Sequence, residues 1–227
     1  MSISKLLFFL LLALISSKNV VIIGDSRACG FAYYVLNIPY TYHNEVYGTG
    51  SYIISENAIT YGGHSIKVIA EVGASYSTFA NQSKEVYKGV HNILSSSPDD
   101  TIVLMWLGVN NLDSASTFSY YKSLAQQYKG LKFYAVSITG VSSKCTNISN
   151  NTIKTFNTNL KTSINGSGLT NLKYKSILNE DNPLQVYNSS SGKVTFYVTE
   201  STTDAYGLHY TGDGNKECLA AILAGIY

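Results

Sequence analysis

Charge is scarce in this 227-residue chain: Asp, Glu, Lys and Arg make up 13% of it, roughly half the usual share. The 16 basic residues are scattered, and without a run of Lys or Arg there is no surface built to track nucleic-acid phosphates. No GxxxxGK[ST] or GxGxxG loop follows any strand-like run, which argues against a nucleotide site. Cysteine is rare and odd in number, at Cys29, Cys145 and Cys218, so at most one internal disulfide can form. Their spacing matches no metal motif. Cys29 falls at the start of an expected buried helix, which leaves Cys145 with Cys218 as the pair. Neither an internal repeat nor a domain-boundary linker is visible.

Low charge with 45% hydrophobic residues excludes intrinsic disorder. The length suits one domain, and such a chain can bury a core without disulfide or metal staples. Tyr is abundant, at 19 residues, alongside much Ser, Thr and Asn. The expected surface is polar and largely uncharged, with Tyr hydroxyls facing water. Such a surface suits sugars, and it is also what compositional drift produces in an extracellular protein.

Met1–Ser17 reads as a secretory signal peptide. Lys5 is its positive flank, and Leu6–Ile15 is an unbroken apolar stretch, shorter than the roughly 20 residues of a membrane span and suited to a signal core. Residues 18–227 then form the mature domain. Five Asn-x-Ser/Thr sequons, at Asn81, Asn147, Asn150, Asn165 and Asn188, fit a glycosylated secreted protein, although a chain rich in Asn, Ser and Thr also makes sequons by chance.

Strand-like runs alternate with helical ones. Asn19–Ile23, Ser65–Val72, Thr101–Leu107, Lys132–Ile138 and Leu172–Leu178 read as strands, and Val194–Val198 as a short strand or hairpin arm. Helices are expected from Ser26 to Leu36 and over Phe79–Leu94, Ser116–Tyr128, Asn151–Ile164 and Lys216–Ile226. Asn37–Gly63, rich in Tyr and Gly and without a clear period, reads as a long insertion or active-site rim. The alternation predicts an α/β fold whose mostly parallel sheet is covered on both faces. Three successive strands run into glycines, at Gly24, Gly73 and Gly108. Open sheets of this class bind ligands beyond the carboxyl ends of their strands, so the residues around these glycines hold the candidate chemistry.

Ser26, in Gly24-Asp25-Ser26-Arg27, sits at a strand-to-helix turn where its hydroxyl is presented and its amide can stabilise developing negative charge. Ser26 or Asp25 could equally be a helix cap. Asn110, in Gly108-Val109-Asn110-Asn111, offers an amide donor of the kind found in oxyanion holes, or is a turn residue. Gly73 offers a bare N–H or is an ordinary turn glycine. His209, in a loop before the last helix, can act as general base toward a serine. His43, His64 and His91 follow no strand end.

In this order, Gly24–Arg27 (GDSR), Val72–Tyr76 (VGASY), Gly108–Asn111 (GVNN) and Tyr206–Tyr210 (YGLHY) resemble the blocks GDSR, VGxxY, GVND and DGLHY of the SGNH (GDSL-type) hydrolase family. The resemblance runs over nearly the whole mature chain, Asn19 to Tyr227. It implies a flavodoxin-like three-layer α/β/α sandwich. It further implies Ser26 as nucleophile, His209 as base, and an oxyanion hole made by the amides of Ser26 and Gly73 with the Asn110 side chain. No metal or cofactor is implied. Two positions depart from the pattern. Tyr206 occupies the place of the acid three residues before the histidine: Asp204, the nearest carboxylate, could complete a triad if the loop bulges, or a backbone carbonyl or the Tyr206 hydroxyl could hold the ring and leave a Ser–His dyad. Asn111 replaces an Asp that is largely structural in the family. Arg27 either meets an acidic substrate group or caps structure. The expectation is a secreted serine esterase acting on small acyl esters, acetyl foremost, on a small molecule or carbohydrate, with no membrane association after signal cleavage. The rival is a catalytically impaired, carbohydrate-binding protein of the same fold.

Overall fold

Five β-branched and aromatic runs make the centre of the molecule, seen in a computed structural model that describes residues 17–41, 50–179, 182–188 and 191–226. The expected signal segment, apart from Ser17, and residues 42–49 of the expected insertion, with His43, lie outside the described residues. β1 (Asn19–Gly24) is buried at all but its first residue. Two short strands, β2 (Tyr52–Ile54) and β3 (Ile59–Tyr61), precede β4 (His64–Glu71) and pair with it antiparallel. They lie in the Asn37–Gly63 segment expected to be irregular: three-residue strands are too short to show a period. β5 (Ile102–Trp106) is buried throughout, and β6 (Lys132–Val136) and β7 (Leu172–Lys175) complete the sheet.

β4, β1, β5, β6 and β7 lie side by side in that order, all parallel. Counting only these strands, the chain order is 2-1-3-4-5, the flavodoxin-like arrangement, whose direction of winding reverses between the first and third strands. Gly24 is in register with Ala70 of β4 and Trp106 of β5, so the three carboxyl ends lie level beside that reversal. The continuous apolar runs follow from burial on both faces.

The helices α1 (Ser26–Tyr34) and, at the end of the chain, α6 (Asp213–Leu223) pack on one another. Between them in sequence come α2 (Tyr76–Ala80), α3 (Glu85–Ser96), α4 (Ser114–Gln127) and α5 (Asn150–Asn165). α2 contacts α3 and α4, and α4 contacts α5, which gives the opposite layer of a three-layer α/β/α sandwich. Phe31 of α1 stacks on Trp106 of β5 with centroids 5.7 Å apart. The Trp106 indole N–H donates to Ser137 O at 3.1 Å, so one buried residue joins the helix layer to two neighbouring strands.

Three expectations change. Phe79–Leu94 is two helices, because Asn81 takes an extended backbone and its side chain accepts from Ser83 N, turning the chain between α2 and α3. Leu172–Leu178 is divided: β7 ends at Lys175, and Leu178 begins β8 (Leu178–Asn179). β8 pairs with β9 (Asn182–Asn188), and β9 with β10 (Lys193–Tyr197), in a separate antiparallel sheet that packs against α6. The Cys145–Cys218 pairing is absent, and all three thiols are free: Cys29 and Cys218 are buried in the helix layer, and Cys145 lies half-buried in a loop. Burial pushes both helix thiols up, Cys218 to about 12. Since the thiolate is the reactive form, a thiol reagent should titrate one cysteine, Cys145, in the native protein and all three after denaturation. Fast native labelling of Cys29 or Cys218 contradicts this packing.

Candidate active site

Ser26 is the first residue of α1. Asp25 caps the helix, its carboxylate accepting from Arg27 N at 3.0 Å. The Ser26 amide belongs to the first turn, where N–H groups have no partner within the helix and the positive end of the helix dipole lies. Asp25 is almost fully buried. Burial raises its carboxyl to about 6, against the pull of the Arg27 guanidinium and the amide bond it accepts.

Arg27 settles between its two expected roles on the structural side. Only 2% exposed, it does not face a substrate. Nε donates to Leu208 O at 3.1 Å, one terminal nitrogen to Thr139 O at 2.8 Å and Thr139 Oγ1 at 2.9 Å, and the other to Gly140 O at 3.1 Å. The guanidinium also lies 5.5 Å from the centroid of the Tyr210 ring. The residue after the serine thus grips the loop after β6 and the residues on either side of His209. Sequence reading gave no role to Thr139 or Gly140, and the one available signal was an arginine inside an otherwise apolar, low-charge helix start.

His209 lies in a loop folded back on itself. Thr203 and Tyr210 form an antiparallel bridge, and Asp204 N donates to His209 O at 2.9 Å. Gly207 turns the chain with φ +69°, and a Cβ there would lie 2.6 Å from Cys145 N and from Ser142 Oγ. The fold-back brings Asp204, five residues earlier, against the imidazole. Its Oδ2 is 2.7 Å from His209 Nδ1, while Oδ1 accepts from the amides of Tyr206, Leu208 and His209 at 3.2, 3.1 and 3.3 Å. Burial alone would raise the Asp204 carboxyl, but the hydrogen bonds from the imidazole and the amides outweigh it and hold it below the usual range. Tyr206, at the position three before the histidine, turns outward and is 76% exposed. On the other side of the ring, Nε2 is 2.8 Å from Ser26 Oγ. With Nδ1–H donating to Asp204, Nε2 is the acceptor for the serine hydroxyl.

Gly73 and Asn110 follow the strands that flank β1. Gly73 has φ +77°, a left-handed conformation that disfavours any residue with a Cβ. Asn110 Nδ2 donates to Ala74 O at 2.7 Å, which ties the two loops together and leaves the amide a second N–H. The Tyr121 hydroxyl braces the β5 end by bonding Leu107 N at 2.9 Å. Asn111 is exposed, and Asp113 caps α4 in this loop through Ser116 N at 3.0 Å. Ser26, Asp204 and His209 open into a cleft of about 600 Å³, whose walls include Gly30, Tyr34 and Asn215. Among the described residues no group of three or more His, Cys, Asp or Glu side chains could hold a metal ion.

Two outcomes follow. Arg27→Lys replaces a planar fork with a point charge that cannot reach all four acceptors. It should lower unfolding free energy by about 3 kcal/mol, read by denaturant titration; an unchanged midpoint contradicts the clamp. Asp25 has a folded pKa raised above its unfolded value, so the stability it contributes is fully present below about pH 3.9 and is lost as pH rises through about 6. Asp25→Asn should therefore remove a fall in Tm across that window, and a variant whose Tm tracks the wild type contradicts the assignment.

In overall architecture the chain is similar to a Streptococcus pneumonia protein described as a platelet activating factor. The two share 14% identity at a TM-score of 0.59, over 97% of this chain and 90% of that one. An extracellular lipase from Streptomyces rimosus aligns at 11% identity and a TM-score of 0.44, over 91% of this chain and 98% of the lipase. A salicylyl-acyltransferase from a tetracycline biosynthetic pathway aligns at 9% and 0.45, over 91% of this chain and 53% of the transferase. No protein-family model and no curated protein matches the sequence. The likeness to the streptococcal protein is one of fold: a mostly parallel sheet between two helix layers.

Proposed function

We propose that the chain is a serine esterase of the SGNH type, with Ser26 as nucleophile, His209 as general base and Asp204 as the acid that orients the imidazole. The observation that carries this reading is the pair of hydrogen bonds through one imidazole, 2.8 Å to Ser26 Oγ and 2.7 Å to Asp204 Oδ2. Ser26 Oγ attacks the ester carbonyl carbon while Nε2 takes its proton. The tetrahedral oxyanion is stabilised by the amides of Ser26 and Gly73 and by the Asn110 side chain. Collapse breaks the bond to the alcohol oxygen, which leaves with the proton from Nε2. Water, deprotonated by the same nitrogen, then attacks the acyl-serine and releases the acid and the free enzyme.

The carboxylate contact supports an active enzyme over a catalytically impaired binding protein, because the ring has the partner that Tyr206 does not supply. The substrates are small acyl esters, acetyl foremost, carried on carbohydrate, a reading supported by the Tyr-rich, weakly charged composition. The protein is secreted, as the apolar segment after Lys5 indicates, and needs no cofactor. Asn81, Asn147 and Asn165 are exposed and fit glycan carriers. Asn150 fits poorly, since its side chain accepts from Val141 N and donates to Val141 O.

Hydrolysis of p-nitrophenyl acetate by residues 18–227 tests the mechanism. Ser26→Ala and His209→Ala should abolish turnover. Asp204→Asn should lower kcat on the order of 10⁴-fold, by analogy with the serine-protease acid, and Asn110→Ala by about 10²–10³-fold. Turnover that survives Ser26→Ala overturns the mechanism.

A further inference from the structure

The cleft at Ser26 is much larger than an acetyl group requires, and its direction is informative. Ser26, Gly30 and Tyr34 all line it. They are four residues apart, so they share one face of α1. The floor of the cleft is therefore this helix face, running about 12 Å from the serine to Tyr34 at the helical rise per residue. The opposite wall is the segment after the catalytic histidine, through Thr211, Gly212 and Asn215. No residue of the Gly108–Asp113 loop after β5 lines it.

Gly30 lets Asn215 pack directly on this helix face. A Cβ at that position would lie 2.9 Å from Asn215 Oδ1, and Asn215 is buried and held by its bond to Tyr210 O at 3.0 Å. Tyr34 ends the groove and is 68% exposed. The Tyr33 ring meets Tyr34 edge-on with centroids 5.1 Å apart, and Tyr33 in turn packs on Tyr40 at 5.3 Å. A second hollow of about 320 Å³, bounded by Tyr33, Tyr34, Asn37 and Pro39, lies on the far side of Tyr34. Among the described residues that line the cleft, Asp204 is the one carboxylate and His209 the one imidazole, and none is Lys or Arg, so these residues offer a phosphate no permanent cation.

In ester cleavage the imidazole hands its proton to the departing oxygen, so the alcohol leaves on the histidine side. We infer that the groove along α1 is the alcohol subsite of the enzyme, and that it takes a neutral, ring-bearing alcohol, a pyranoside longer than one ring, with one sugar face stacked on Tyr34. This rests on the esterase reading and deepens it: selectivity lies in the alcohol, and the acyl group is short. Stacking on an aromatic face with nearby neutral hydrogen-bonding groups is what such a wall supplies. Tyr34 is a specificity residue rather than a catalytic one.

The test compares kcat/KM for three acetate esters: an O-acetylated cellobioside, octyl acetate and ethyl acetate. Wild-type enzyme and Tyr34→Ala are both assayed. Tyr34 is largely solvent-exposed, so the substitution should leave the fold intact, checked by Tm. The ratio of cellobioside to ethyl acetate should fall about tenfold in the variant, with the octyl-to-ethyl ratio little changed. An unchanged cellobioside ratio, or a loss confined to octyl acetate, overturns the sugar subsite while leaving the esterase intact. If no ester is hydrolysed, the esterase reading fails, and titration of cellobiose into the wild type and Tyr34→Ala reads the subsite separately. Weaker binding to the variant supports it, and equal or absent binding overturns it.

Discussion

One buried guanidinium holds the two halves of the site together. Arg27 follows the serine on α1, yet its hydrogen bonds go to Leu208, Thr139 and Gly140, so the helix, the histidine loop and the loop after β6 share one anchor. A charge this deeply buried is tolerated only when its donors are satisfied, and here carbonyl oxygens and a threonine hydroxyl take that part. The bond to Leu208 O fixes the backbone one residue before His209. The distance between Ser26 and His209 is thus set by a group whose hydrogen bonds go to neither side chain.

The rest of the arrangement follows from the sheet. Gly24, Ala70 and Trp106 are in register, and the loops that follow them meet where the winding reverses. β1 turns at once into α1 and presents Ser26 at a helix start. β4 and β5 deliver Gly73 and Asn110 on either side. The two flanking loops are bound to each other through Asn110 and Ala74, and Trp106 packs beneath them against Phe31. Each loop is short and has a partner, which ties together the carboxyl ends of the three strands.

Much of this was legible in the sequence because β1, β5 and β6 are mostly apolar runs and β1, β4 and β5 end at or within two residues of a glycine. The strands β1, β5 and β6 and the helices α4 and α5 emerged from such runs within a few residues. The short edge strands β2 and β3 did not, since Tyr52–Ile54 and Ile59–Tyr61 are too brief for alternation to register. Ser26 and His209 could be read from their local words. The pairing of Asp204 with His209 could not be established that way. A spacing of five residues works only because Gly207 and the Thr203–Tyr210 bridge fold the loop back, and that is a property of three-dimensional closure. The free state of Cys145 and Cys218 was hidden for a similar reason, since counting thiols says nothing about which of them face a neighbour.

The Asp204 carboxylate divides its attention: one oxygen meets the imidazole while the other gathers three amides of its own loop. Closing the loop and placing Asp204 against the imidazole are therefore the same event. A molecule whose loop has opened locally keeps its sheet and its core but has lost the Asp204–His209 contact, and such partial openings cost less than global unfolding. Under the proposed mechanism, the active fraction at any temperature is the closed fraction of the eight-residue segment Thr203–Tyr210, and heat should silence the protein before it melts it.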